Sequence, residues 1–233
     1  MKEETQNQAE KLIRQVRASR ALSDLARNPL LLTMIANTHL SSPDLPKRRV
    51  ELYDRICNLL LGTRPNTKRT YLTLTTTQNR RVLQILALNL VQREVTQFTP
   101  QESVPWIEDC LEACCQDPVL SPQAFLLEIV QVSRLVVEKE FGAYEFSHQT
   151  FQEYLAAVQL REMGSEEEVL VGEQRENDRW QEVIVLYAAQ GDASSIIEKL
   201  LDNPTAYRLK LAIRCRDEGR EVSRAAREQK QLG

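Results

Sequence analysis

A mainly α-helical chain is the fold class this sequence predicts: a helical segment, a winged-helix domain with one β-hairpin, then a second helical domain. Three observations carry that expectation. Apolar residues recur at three- and four-residue steps through most of the 233 residues. The period changes to β-branched alternation at Arg134–Glu140, and a second short extended run, Ala143–Phe146, follows the Phe141-Gly142 turn. Three helical patterns precede that hairpin, which is the element order of a winged helix.

The first domain is expected over 1–62. Ala9, Leu12, Ile13 and Val16 share one helical face. Asn28-Pro29 starts another helix, because asparagine caps well and proline fits the first helical position. Ser41-Ser42-Pro43-Asp44 reads as a loop. Pro46 is expected to open a third helix through Val50, Tyr53, Ile56, Cys57 and Leu60, which Gly62 ends. The polar stretch 63–70 reads as a linker.

The winged-helix domain is expected over 70–163. Gln78–Arg93 repeats apolar residues at Val82, Ile85, Leu86, Leu88 and Leu90. Thr99-Pro100 opens a helix to about Cys115, and Ser121-Pro122 opens the next, to about Val132. After the hairpin, Phe151, Leu155 and Val158 mark the buried face of a helix that ends near Gly164, with Ser147 as its expected cap. The last domain is expected over 166–233. Trp180–Ala189 and Ala193–Leu201 are helical, and Asn203-Pro204 starts a helix carrying Leu209, Leu211 and Ile213. Past Asp217 apolar residues nearly vanish, the composition of a disordered tail.

Composition narrows the function classes. Charged residues make up 27% of the chain, and the net charge is −3. No apolar run reaches the roughly 18 residues a membrane span needs, and the N-terminus lacks a signal-peptide core. A soluble cytoplasmic protein is expected. The five cysteines, three of them at 110, 114 and 115, do not form a secreted disulfide framework. Metal ligation by this cluster is conceivable. With no histidine nearby and no Cys-x-x-Cys, the cysteines read instead as helical thiols, and no metal site is expected. His39 reads as a solvated residue at a helix end. Acidic residues dominate Val137–Asp202 and basic ones Arg208–Lys230. Either these are solvated faces, or they form a contact between the two parts or with another domain.

No Ser, Cys and His arrangement suggests a triad, and no catalytic pair of acids stands out. A winged helix raises DNA binding as a possibility. Its third helix, Ser121–Val132, has no Lys or Arg and carries Glu128; on the hairpin, Lys139 lies between Glu138 and Glu140. Such a surface repels phosphates, so nucleic acid is not the expected partner. One residue stays unexplained by packing: His148, where the second strand meets the next helix. A helix start offers free N–H groups and a positive dipole end, which suit an anion. On the residues alone, His148 either supports that corner or meets such an anion.

The run Tyr144-Glu145-Phe146-Ser147-His148, followed by Phe151-Gln152-Glu153-Tyr154-Leu155-Ala156-Ala157, resembles the winged-helix signature of NACHT-family NTPases, the STAND-class switches related to NOD-like receptors. Asn28-Pro29-Leu30-Leu31-Leu32, with Leu45-Pro46 and Arg49–Tyr53, is similar to their first helical domain. Trp180–Tyr187 looks like the start of their second. The likeness spans about 10–200. It implies a conformational switch in which His148 touches the phosphate of ADP and Pro29 packs on the adenine. A rigid helix start explains Pro29 equally well. The sequence lacks Gly-x-x-x-x-Gly-Lys-Ser/Thr and has no Gly-Lys pair, so no catalysis is expected from this chain by itself. It would bind no cofactor alone and would meet ADP or ATP only beside a NACHT P-loop domain, its expected partner, with oligomers forming on activation. The alternative is a helical module acting through protein contacts alone.

Overall fold

The computed structural model describes residues 2–62, 72–114, 120–164 and 178–220. The expected linker at 63–70, Cys115, Glu166-Glu167-Glu168 and the tail from 221 lie outside these. The chain divides into two compact units, Met1–Gly62 and Thr63–Gly233.

The first unit is helical throughout: α1 (Lys2–Ala18), α2 (Arg20–Leu25), α3 (Pro29–Ser41) and α4 (Arg49–Leu61). Asn28 caps α3 by accepting the amides of Leu30 and Leu31 at 2.9 and 3.2 Å. Pro29 follows at the first helical position. The helix expected from Pro46 begins only at Arg49, because Pro46 sits in the irregular segment ahead of it. Its start has no side-chain cap. Leu22, Ile35, Leu52, Tyr53, Ile56 and Leu61 form the core. The α1 stripe is only partly covered, and Ile13 stays exposed. His39 is buried in α3, not solvated as expected. It lies in the last turn of the helix, on the same inward face as Ile35.

The second unit contains α5 (Thr76–Gln92), β1 (Gln97–Phe98), α6 (Pro100–Cys114) and α7 (Pro122–Glu128). It continues with β2 (Val136–Glu138), β3 (Tyr144–Phe146) and α8 (Gln149–Glu162). Among the described residues three more helices follow: α9 (Asp178–Ala189), α10 (Ser194–Asp202) and α11 (Ala206–Glu218). A capping box between Thr75 and Gln78 starts α5 two residues before the first apolar periodicity suggests.

The expected helix Ser121–Val132 is α only to Glu128, then widens into a π-helical turn, Ile129–Ser133. The Ser133 hydroxyl donates to the Ile129 carbonyl at 2.8 Å and accepts from the Leu135 amide at 3.2 Å. Arg134, with φ 58°, ends the turn in the left-handed region.

The strands are shorter than the β-branched runs imply, and a third joins them. The sheet is antiparallel in the order β1-β3-β2, with Phe98 opposite Tyr144 and Val136 opposite Phe146. At two residues, β1 is too short to leave a period in the sequence. Gly142 takes φ 72° between β2 and β3, a conformation that favours glycine.

The axis of this unit is α8. It packs on α5 and on α9 at once. Phe151, Leu155, Ala156, Ala157 and Tyr154 are all buried, so the helix is covered nearly all round rather than on one face. The small Ala156-Ala157 pair lets neighbouring helices approach closely. On α11, only Leu211 of the expected stripe is buried; Leu209 and Ile213 face outward.

Candidate functional site

Three short steps build the corner between β3 and α8. Phe146 pairs with Val136, and the Ser147 amide then donates to the Leu135 carbonyl at 2.9 Å. The chain turns into α8 at His148, whose backbone is extended (φ −148°, ψ 138°). His148 itself, not Ser147, is the N-cap. Its Nδ1 accepts the Thr150 amide at 3.2 Å and lies 2.7 Å from Thr150 Oγ1. The Ser147 hydroxyl is buried without a hydrogen-bond partner among the described residues. The extended backbone at 148 brings the imidazole over the first turn, which displaces serine from the role its residue type suggests.

That geometry fixes the ring's chemistry. An amide N–H can only donate, so Nδ1 is the acceptor, and the neutral ring carries its hydrogen on Nε2. Burial lowers the pKa of His148 from its ordinary value, which favours the same neutral form. Among the described residues Nε2 has no partner, leaving one oriented N–H donor at a helix start. Thr150 gave no sign of this role in the sequence, since a threonine two residues past a cap has many uses.

In the first unit, Pro29 is exposed at the start of α3, and Leu30 and Leu32 beside it are 38% and 41% exposed. The Asn28 cap holds this turn rigid. Apolar side chains are thus exposed at this helix start.

The helix that a DNA-reading winged helix would insert carries no cation from Pro122 to Ser133. Glu128 on it is occupied by Thr73, through the amide at 2.8 Å and the hydroxyl at 2.6 Å. Lys139 on the hairpin pairs with Glu145 at 2.9 Å. Burial raises the Glu145 pKa, but hydrogen bonds from Lys139 and Gln97 and the Lys139 charge outweigh it and hold the carboxyl below its usual range. The hairpin cation is therefore neutralised, which argues against a phosphate-binding wing.

Among the described residues no group of three His, Cys, Asp or Glu side chains could hold a metal. Nor is any described helix long and apolar enough to cross a membrane.

Helices α5 to α7, the small antiparallel sheet and α8 define a winged helix-turn-helix domain. Residues 49–160 match the family described as the winged helix-turn-helix domain C-terminal to NACHT. No curated protein matches the chain. That segment, which begins at α4 in the first unit and ends within α8, is similar to this NACHT-associated family. The family so described is a winged helix that lies C-terminal to a NACHT domain, not the NACHT domain itself.

Proposed function

We propose that this chain is the moving regulatory part of a STAND-class NACHT switch. It closes over ADP held by a P-loop domain and pivots away when ATP replaces it. His148 donates its Nε2 hydrogen to a phosphate oxygen, and Pro29 packs on the adenine ring. The P-loop domain supplies hydrolysis and magnesium; this chain supplies closure, in the cytoplasm, and oligomers form once it opens.

One observation carries the reading. The Thr150 amide occupies Nδ1 and leaves Nε2–H as an oriented donor at the start of α8, without a partner among the described residues. A single donor suffices for such a switch, because losing it removes the link between the moving domain and the nucleotide.

The test is association with a separately expressed NACHT P-loop domain. Binding is expected with ADP, weaker with ATP, and weaker still for His148→Ala. Binding that ignores nucleotide and His148 would overturn the switch. It would favour the second reading, a helical interaction module. A specific feature speaks for that reading: Leu209 and Ile213 are exposed on α11, and Leu209 borders a groove with Leu201 and Pro204.

A further inference from the structure

Cys110 and Cys114 lie one turn apart on α6, with their Sγ atoms 3.7 Å apart. Cys110 is buried and Cys114 is partly exposed. Four-residue spacing puts both thiols on one face, and reagents reach the pair through Cys114.

Two chemistries compete for such a pair. A disulfide needs sulfurs about 2.05 Å apart and Cβ atoms about 3.8 Å apart. Helix neighbours four apart hold their Cβ atoms about 5–6 Å apart, so α6 would have to unwind. Chelation asks for something else. Two bonds of about 2.3 Å from one centre, at the roughly 95–110° that pyramidal and tetrahedral centres take, leave their sulfurs about 3.4–3.8 Å apart. The observed 3.7 Å meets that bite with the helix intact.

No third ligand converges among the described residues, and Cys110 and Cys114 offer two sulfurs. We propose that Cys110 and Cys114 form a dithiol site for a soft, thiophilic centre with two open valences. Monosubstituted trivalent arsenicals are the class that fits. With phenylarsine oxide, two As–S bonds form and two S–H bonds break. The arsenic-bound oxygen leaves as water with both protons, and no electrons change hands. The adduct would staple the last turn of α6, whose Cys114 carbonyl accepts from Gln78 in the α5 capping box at 3.2 Å.

The reduced full chain is treated with one equivalent of phenylarsine oxide and weighed intact by mass spectrometry. One adduct is expected on the wild type and on Cys115→Ser. Cys110→Ser and Cys114→Ser should each bind roughly a hundredfold more weakly, because the second bond is intramolecular. Circular dichroism of each variant checks that α6 survives. An adduct that persists in Cys110→Ser but not in Cys115→Ser assigns the binding to the adjacent 114/115 thiols and overturns the proposal. So does a native wild type that takes none while its urea-unfolded form does.

Discussion

Glu128 and Thr73, 55 residues apart, are fastened by two hydrogen bonds, one to each carboxylate oxygen. Glu128 ends α7, and Thr73 lies just before the Thr75 cap of α5. The pair therefore fixes where the chain enters the winged helix. A residue read from the sequence as a charge facing outward is a clamp instead. The bonds are exposed, so Glu128→Ala is expected to destabilise the second unit by only about 1 kcal/mol. Urea midpoints of the wild type and the variant check this, and an unchanged midpoint would show that the two bonds add nothing to the stability of the unit.

The cap and donor roles of His148 are separable. Asparagine caps a helix as well as any residue, so His148→Asn should fold as stably as the wild type. His148→Ala should lose about 1 kcal/mol. Both should weaken ADP-dependent association with a NACHT P-loop domain, because neither keeps Nε2. Equal binding by wild type and His148→Asn would reduce the histidine to a cap.

Acid should expose the same residue. Burial places the folded-state pKa of His148 below the ordinary 6.5, so the unfolded chain takes up its proton first as pH falls. The contribution of the neutral capping ring is complete above about pH 6.5 and declines below it, until the folded ring also protonates. Urea midpoints of wild type and His148→Asn should therefore separate between pH 7 and pH 5, with the wild type losing more. Parallel curves would contradict the burial of the ring.

How far the sequence discloses this molecule depends on the range of the interaction. Helices α3, α5, α6 and α7 were legible because cap residues and apolar spacing are local: Asn28, Pro29, Pro100 and Ser121 all mark starts. The winged-helix order and the histidine corner were legible too. Partners distant in sequence were not. Nothing near Thr73 points to Glu128. The two-residue β1 is made by pairing with β3, not by its own propensity. The covering of α8 on both sides follows from α5 and α9, which the Phe151, Leu155 and Val158 spacing cannot report. His39 failed for the same reason: a polar side chain on an inward helix face goes where the helix packs.

Thiol reactivity should rank by depth. Burial pushes the Cys215 thiol up to about 12, so it stays protonated in the folded chain at pH 8. Cys57 is also fully buried. Iodoacetamide should modify Cys114 before Cys110, and Cys57 and Cys215 only on unfolding. Peptide mapping over time reads the order. Early labelling of Cys215 would mean that α11 opens readily from α9.

Gly191 and Arg161 make the most confined contact at the α9–α10 turn. A Cβ on Gly191 would collide with an Arg161 guanidinium nitrogen. That guanidinium sits 5.1 Å from the centre of the Tyr187 ring, and its charge helps to hold the Asp192 carboxyl below its usual range, after the hydrogen bonds from Ser194. Gly191→Ala must push the arginine off the ring. Because the obstacle is the flexible end of a side chain, the loss is the cation–π contact, about 1 kcal/mol, rather than a backbone distortion. A double-mutant cycle isolates the effect. In an Arg161→Ala background the obstruction is gone, so Gly191→Ala should there cost close to nothing. A full cost in that background would show that the backbone at 191, not the arginine above it, requires glycine.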